Sequence, residues 1–163
     1  DDSITLRGWW LPAQDPLATL VWSHGLDHTR AERLPLMQKF VDFGFSVLVY
    51  DFRGHGESDH VATGAGFHEI NDLDGAIDFV LANKGAEPGK VLLMGQSFGA
   101  AVTIMAGFDE PAVVGVFADA DGSRPTRRRH RAALRFVTHE SYPSIAVCLE
   151  RISETSRCVS TSL

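Results

Sequence analysis

One pentapeptide constrains the fold more than any other stretch of the chain. Gly95-Gln96-Ser97-Phe98-Gly99 follows the apolar run 91–94 and precedes segment 100–106, whose composition suits a helix. A serine between a buried strand and a helix lies on a sharp turn that exposes its hydroxyl beside backbone N–H groups. The two glycines allow this turn, because side chains there would collide with the neighbouring strand and helix. The pattern therefore predicts a nucleophile elbow at Ser97.

The pentapeptide alone does not exclude an ordinary glycine-serine turn between a strand and a helix. The chain contains 15 glycines, so a match of this length has a substantial rate of chance occurrence. The prediction therefore depends on the rest of the chain.

Short apolar runs alternate with amphipathic stretches as far as residue 120. This alternation is typical of a mostly parallel sheet covered by helices. Apolar residues at helical spacing predict helices, and Gly44 stands where a C-terminal cap glycine would. We predict an α/β fold with a mostly parallel sheet of about five strands and flanking helices. The predicted strands are 6–11, 19–22, 45–50, 91–94 and 113–118, and the predicted helices are 33–42, 70–83 and 100–106.

Length and charge limit the class of protein. At 163 residues and 44% hydrophobic, the chain can form one domain with a core. A net charge of −6 argues against a nucleic-acid or anionic-membrane partner for the whole molecule. The sequence has no run of 18 apolar residues and no signal pattern after Asp1. We expect a cytoplasmic protein without a membrane segment, although an anchor ahead of Asp1 stays open.

The composition changes after Asp121. Segment 121–163 carries eight arginines, no lysine and both cysteines, Cys148 and Cys158. We divide the chain into a core, 1–120, and this arginine- and serine-rich tail. The arginine cluster is interpreted as a solvated basic run rather than a phosphate or nucleic-acid site. The cysteines are either a bridge or, as we favour, two reduced thiols, and they predict no metal site.

A second motif follows the strand predicted at 19–22. In Ser23-His24-Gly25-Leu26, a turn directly after the strand can direct its next amide toward the serine. Two preorganised N–H donors stabilise the negative charge of a tetrahedral intermediate, by about 3 kcal/mol for each donor. We assign these oxyanion donors to the backbone of Leu26 and Phe98. His24 is interpreted as a structural residue that ties the turn together, with a surface position as the alternative.

A third motif, Asp51-Phe52-Arg53-Gly54-His55-Gly56-Glu57-Ser58, leaves the strand predicted at 45–50. Its glycines permit a tight turn, and Arg53 can donate a fork of hydrogen bonds. We expect Asp51 and Arg53 to pair across the bend. The alternative, a phosphate-binding loop, requires another spacing followed by a lysine or a dinucleotide pattern, and neither is present.

Taken in order, the three motifs resemble the α/β-hydrolase fold, in its serine-aminopeptidase and monoacylglycerol-lipase-like branch. The resemblance covers about residues 4–120 and includes the opening 6–12 and the close 116–120. It implies a nucleophile at Ser97, the donors Leu26 and Phe98, and hydrolysis of a small-molecule acyl ester or amide through an acyl-enzyme. It implies neither a metal nor an organic cofactor.

The chain departs from this family after the fifth predicted strand. In the family the catalytic acid and then the histidine follow the serine on later strands. Here only Asp119 or Asp121 with His139 keep that order, and a working pair of Ser97 with His139 is disfavoured. We hypothesise that the chain is an incomplete or frame-shifted copy of such a hydrolase. The alternative function is a catalytically inert binding module, prone to self-association through an exposed sheet edge.

Overall fold

The structure is a computed structural model that describes residues 3–119. Five strands and three helices alternate along this part of the chain. They are β1 (Gly8–Leu11), β2 (Ala18–Ser23), α1 (Leu34–Asp42), β3 (Phe45–Tyr50), α2 (Glu69–Asn83), β4 (Val91–Gln96), α3 (Phe98–Gly107) and β5 (Val113–Asp119).

The five strands form one sheet in the order β1-β3-β2-β4-β5. β2, β3, β4 and β5 are parallel, and β1 pairs antiparallel with β3. The predicted fold class, a mostly parallel five-stranded sheet with flanking helices, is confirmed. Because parallel strands end at the same edge of a sheet, the segments that follow β2, β3 and β4 meet there. These segments carry the three sequence motifs.

Two hydrophobic cores cover the two faces of the sheet. Successive side chains of β2 point to opposite faces, so Val21 packs with α2 and α3 while Leu20 and Trp22 pack with α1. The α2 and α3 side also buries Leu73, Ile77, Leu93 and Val102, and the α1 side buries Met37, Val47 and Val49. Both faces of the central strands are therefore covered, as their continuous apolar sequences require.

The predicted elements correspond closely to the observed ones. The largest difference is β1, which begins at Gly8 because its partner β3 ends opposite it at Tyr50. The preceding residues still hydrogen-bond to the next loop, since the N–H of Asp51 donates to the carbonyl of Arg7 at 2.8 Å. Gly44 has a φ of +90°, the conformation predicted for the residue that follows the end of α1. Within residues 3–119, no helix combines the length and apolar character that crossing a membrane requires.

Candidate active site

Ser97 lies on the sharp turn between β4 and α3. Its φ of 51° and ψ of −112° fall in a region that residues with a side chain rarely adopt, and its side chain is exposed. Its N–H donates to the carbonyl of Asp119 at 2.6 Å, which ties the turn to the end of β5. Its own carbonyl accepts from the N–H groups of Ala100 and Ala101 at the start of α3. The strained conformation is therefore held from both sides.

The two glycines of the pentapeptide leave no room for a side chain. A Cβ at Gly95 would overlap the carbonyl of Gly99 and the hydroxyl of Thr103. A Cβ at Gly99 would overlap the carbonyls of Ser23 and His24. α3 can therefore approach β2 and β4 closely enough to place its N-terminus at the edge where the strands end.

A second turn, 25–28, lies directly beside Ser97. The N–H of His28 donates to the carbonyl of Gly25 at 3.2 Å, and Asp27 has a φ of 60°. A Cβ added to Gly25 would be only 3.6 Å from the Cβ of Ser97. Within the described part of the chain, the N–H groups of Leu26 and Phe98 have no hydrogen-bond acceptor. Two unpaired amides therefore belong to the two turns that meet at Ser97.

The side chains of these two donor residues differ in their surroundings. Leu26 is half exposed, whereas Phe98 packs edge to face against Phe52 with ring centroids 5.7 Å apart. The apolar surface that they present beside Ser97 can contact a carbon chain.

His24 is buried and connects two loops. Its Nε2 accepts from the N–H of Phe52 at 3.0 Å, so the proton lies on Nδ1, which donates to the carbonyl of Gly25 at 2.7 Å. Desolvation by burial lowers the pKa of His24 from 6.5 to about 4. The ring is therefore neutral near pH 7 and has both nitrogens engaged. It fixes the position of Gly25 relative to the 51–58 loop.

The expected pair of Asp51 with Arg53 is wrong, because each residue faces another partner. Asp51 accepts from the guanidinium of Arg30, and also from the N–H groups of Arg30 at 2.7 Å and Glu57 at 3.0 Å. A Cβ at Gly56 would overlap this carboxylate. Arg30 also pairs with Glu57 and lies over the ring of Trp9 at 4.4 Å. Asp51 therefore anchors the segment after the 25–28 turn.

Arg53 instead binds Asp72 of α2. Its Nη2 donates to Oδ1 at 2.6 Å, its Nε at 3.0 Å, and its backbone N–H to Oδ2 at 3.0 Å. Both side chains are almost completely buried. This charge-assisted arrangement holds α2 against the 51–58 loop.

Sequence reasoning missed Arg30 and Asp72 as the partners of this loop. Each is about 20 residues from its partner in the chain, and no motif connects them. Asp119 ends β5, whereas the predictions on Asp121, His139, Cys148, Cys158 and the arginine cluster at 127–131 lie outside the described residues. Across residues 3–119, no group of three or more His, Cys, Asp and Glu side chains is arranged to hold a metal ion.

The strand order, the serine turn at the end of β4 and the turn beside it define the α/β-hydrolase class. The chain matches the model of the serine aminopeptidase S33 family over residues 14–156, and it belongs to that family. The matched range extends into segment 121–163.

Relatives and solved structures agree with this class. The chain is 29% identical over 150 residues to the uncharacterized protein YfhR of Escherichia coli O157:H7, covering 89% of this chain and 47% of YfhR. The α/β hydrolase GrgF from Penicillium sp. sh18 superposes with a TM-score of 0.67 at 29% identity, covering 72% of this chain and 42% of GrgF. The esterase Pf2001 of Pyrococcus furiosus gives 0.65 at 29% identity, covering 73% and 47%. The chain thus spans less than half the length of these relatives.

Proposed function

We propose that this chain is a serine hydrolase, or the nucleophile-bearing part of one, that cleaves an ester or amide through an acyl-enzyme at Ser97. The observation that carries the proposal is the exposed hydroxyl of Ser97 on a strained turn, directly before the N-terminus of α3. Such strain is retained where the rest of the fold compensates for it, and it is typical of functional positions. The nucleophile elbow predicted from the pentapeptide has this geometry.

The unpaired amides support an oxyanion hole in the same place. The N–H groups of Leu26 and Phe98 come from separate turns, and Gly25 lies against Ser97. The N-terminus of α3 adds the positive end of a helix dipole. Donors fixed before the reaction stabilise charge that develops in the transition state, and each is worth about 3 kcal/mol.

The reaction follows from this arrangement. The Ser97 oxygen attacks the acyl carbon while a base takes its proton, and the former carbonyl oxygen becomes an anion between the two amides. Collapse of this intermediate expels the alcohol or amine and leaves an ester on Ser97. Water then repeats the addition and releases the acid. We assign the substrate to small or medium acyl esters, because the apolar surface at Leu26 and Phe98 can contact an acyl chain.

Ester hydrolysis by the full chain tests the proposal. We expect purified protein to hydrolyse a short-chain p-nitrophenyl ester, and Ser97→Ala to reduce kcat at least about 100-fold. Ser3→Ala is the matched control, because Ser3 is also exposed and has a similar φ of 50°. It should retain the full rate. A Ser97→Ala variant that hydrolyses the ester like the parent, or a parent without turnover, would contradict the proposal.

The second candidate is a non-catalytic binding module. It is favoured by exposed apolar side chains on and after α3, namely Ile104, Met105 and Phe108, which are between 48% and 65% exposed. Among the described residues, β1 and β5 are also the open edges of the sheet. Self-association would cover both features. This candidate predicts no turnover, together with concentration-dependent oligomers in sedimentation equilibrium.

A further inference from the structure

A histidine and a glutamate that no motif singled out lie beside Ser97. A Cβ at Gly25 would be 3.0 Å from Cδ2 of His28 on one side and 3.6 Å from Cβ of Ser97 on the other. His28 and Ser97 therefore flank the same glycine. The side chain of His28 is 46% exposed, so its ring borders the space that a substrate must enter.

The ring of His28 is oriented as the base of a serine hydrolase requires. Its Nδ1 lies 2.9 Å from Oε2 of Glu32. The opposite edge, Cδ2 with the adjacent Nε2, faces Gly25 and the side of Ser97. A carboxylate on Nδ1 selects the tautomer with the proton there and leaves the Nε2 lone pair free to accept a proton.

The backbone that carries both residues is firmly anchored. Between them, Arg30 is buried and paired with Asp51 and Glu57. Arg33 donates to Oε1 of Gln96 at 3.2 Å, next to Ser97 in the chain. The turn that spaces His28 from Glu32 is closed by the N–H of Glu32, which donates to the carbonyl of Thr29. The pair is thus held at a fixed place relative to the serine.

We propose that His28, positioned by Glu32, is the base that takes the proton of Ser97. This inference rests on the proposed function of Ser97. As the Ser97 oxygen bonds to the acyl carbon, its proton moves to Nε2 of His28 and the carbonyl electron pair moves to oxygen. When the intermediate collapses, the bond to the leaving group breaks and Nε2 returns the proton to that group. Water donates its proton to Nε2 in the same way during deacylation.

Ser97 and His28 are not hydrogen-bonded to each other in this structure. Serine and base are often separated until a substrate closes the distance between them. His24 cannot take the role, since both of its ring nitrogens are engaged in the interior. Glu32 is a positioning residue, because it acts through His28.

Kinetics of the full chain on the p-nitrophenyl ester test the inference. We expect His28→Ala and His28→Gln each to lower kcat about 100-fold with little change in KM. Imidazole added to His28→Ala should restore the rate at least about tenfold, because the free base can occupy the vacated space. Glu32→Gln should lower kcat about tenfold, and His60→Ala, at an exposed histidine of the 59–64 segment, should leave it unchanged.

The outcomes separate this inference from the function on which it rests. If the parent is active, Ser97→Ala is inactive and both His28 variants keep the parent rate, the base assignment is wrong and the hydrolase stands. Inactive His28 variants that imidazole does not restore also exclude His28 as the base. A parent without turnover removes both proposals. Circular dichroism of each variant shows whether lost activity reflects lost structure.

Discussion

Two glycine-containing segments leave the ends of parallel strands and reach opposite results. The 51–58 loop after β3 buries most of its residues and pairs its charged groups with Arg30 and Asp72. The turn after β4 exposes Ser97 in a strained conformation, beside two amides without acceptors.

The contrast shows that binding potential is concentrated in one of the two segments. The saturated 51–58 loop holds Gly25 through His24 and holds the following segment through Arg30. Because these contacts fix the turn at 25–28, the serine turn can leave its own polar groups available. A site of this kind needs rigid support from residues that do not react. The comparison predicts that the two segments respond differently to substitution.

The largest effect is expected where the buried ion pair is broken. Asp72→Ala removes the carboxylate from Arg53, and loss of one partner of a buried pair costs about 4 kcal/mol of unfolding free energy. Glu87→Ala breaks the exposed pair with Lys90 and should cost less than about 1 kcal/mol. Urea unfolding of both variants measures the difference. Equal losses would show that the 51–58 loop is not the scaffold described above.

Close packing of glycines in the serine turn gives the next effect. Gly99→Ala places a methyl group on the carbonyls of Ser23 and His24, and we expect a loss of about 3 kcal/mol. Gly75→Ala in α2 meets nothing within 4 Å and should stabilise the protein by about 0.5 kcal/mol. Thermal unfolding of the pair provides the measurement. A neutral Gly99→Ala would mean that α3 does not approach β2 as closely as observed.

Acid should destabilise the contact between the two segments through His24. The unfolded chain binds a proton to this ring below pH 6.5, whereas the folded chain does so only below about 4. Unfolding therefore takes up a proton in this window, and stability falls as the pH drops through it, by up to about 3 kcal/mol.

Urea unfolding at several pH values checks this expectation against His24→Asn, which does not titrate. The stability advantage of the parent over this variant should shrink between pH 6.5 and 4. The control His60→Ala should follow the parent. A constant difference between parent and His24→Asn would exclude His24 as the source.

The smallest effect concerns the strain at Ser97 itself. Glycine tolerates a φ of 51° far better than alanine does, so Ser97→Gly should be about 1 kcal/mol more stable than Ser97→Ala. Both variants lack the hydroxyl, and the comparison therefore isolates the backbone. Denaturant midpoints give the result. If alanine is as stable as glycine here, the turn is not strained.

The sequence predicted the elements better than the contacts between them. Apolar periodicity is local, so the strand 45–50 was predicted with its observed bounds, and the helix 70–83 within one residue. The antiparallel pairing of β1 was not predicted, since a single strand carries no mark of its direction. The positions of Gly95 and Gly99 followed from turn chemistry, and their close contacts agree with it.

Partner choice depends on the three-dimensional arrangement and could not be predicted in the same way. Arg53 is two residues from Asp51, yet it pairs with Asp72, because the backbone of the loop directs the two side chains apart. His28 and Glu32 have a recognisable spacing of four residues, but only the fold places them beside Ser97. The base of the reaction was therefore sought later in the chain.

The most direct test of the account is the site at which a serine-directed fluorophosphonate reacts with the folded chain. The account predicts one adduct per molecule by intact mass, located by peptide mapping on the peptide that contains Ser97, and no adduct after Ser97→Ala. An unlabelled folded protein, or an adduct on another serine, would contradict the assignment of Ser97 as the nucleophile.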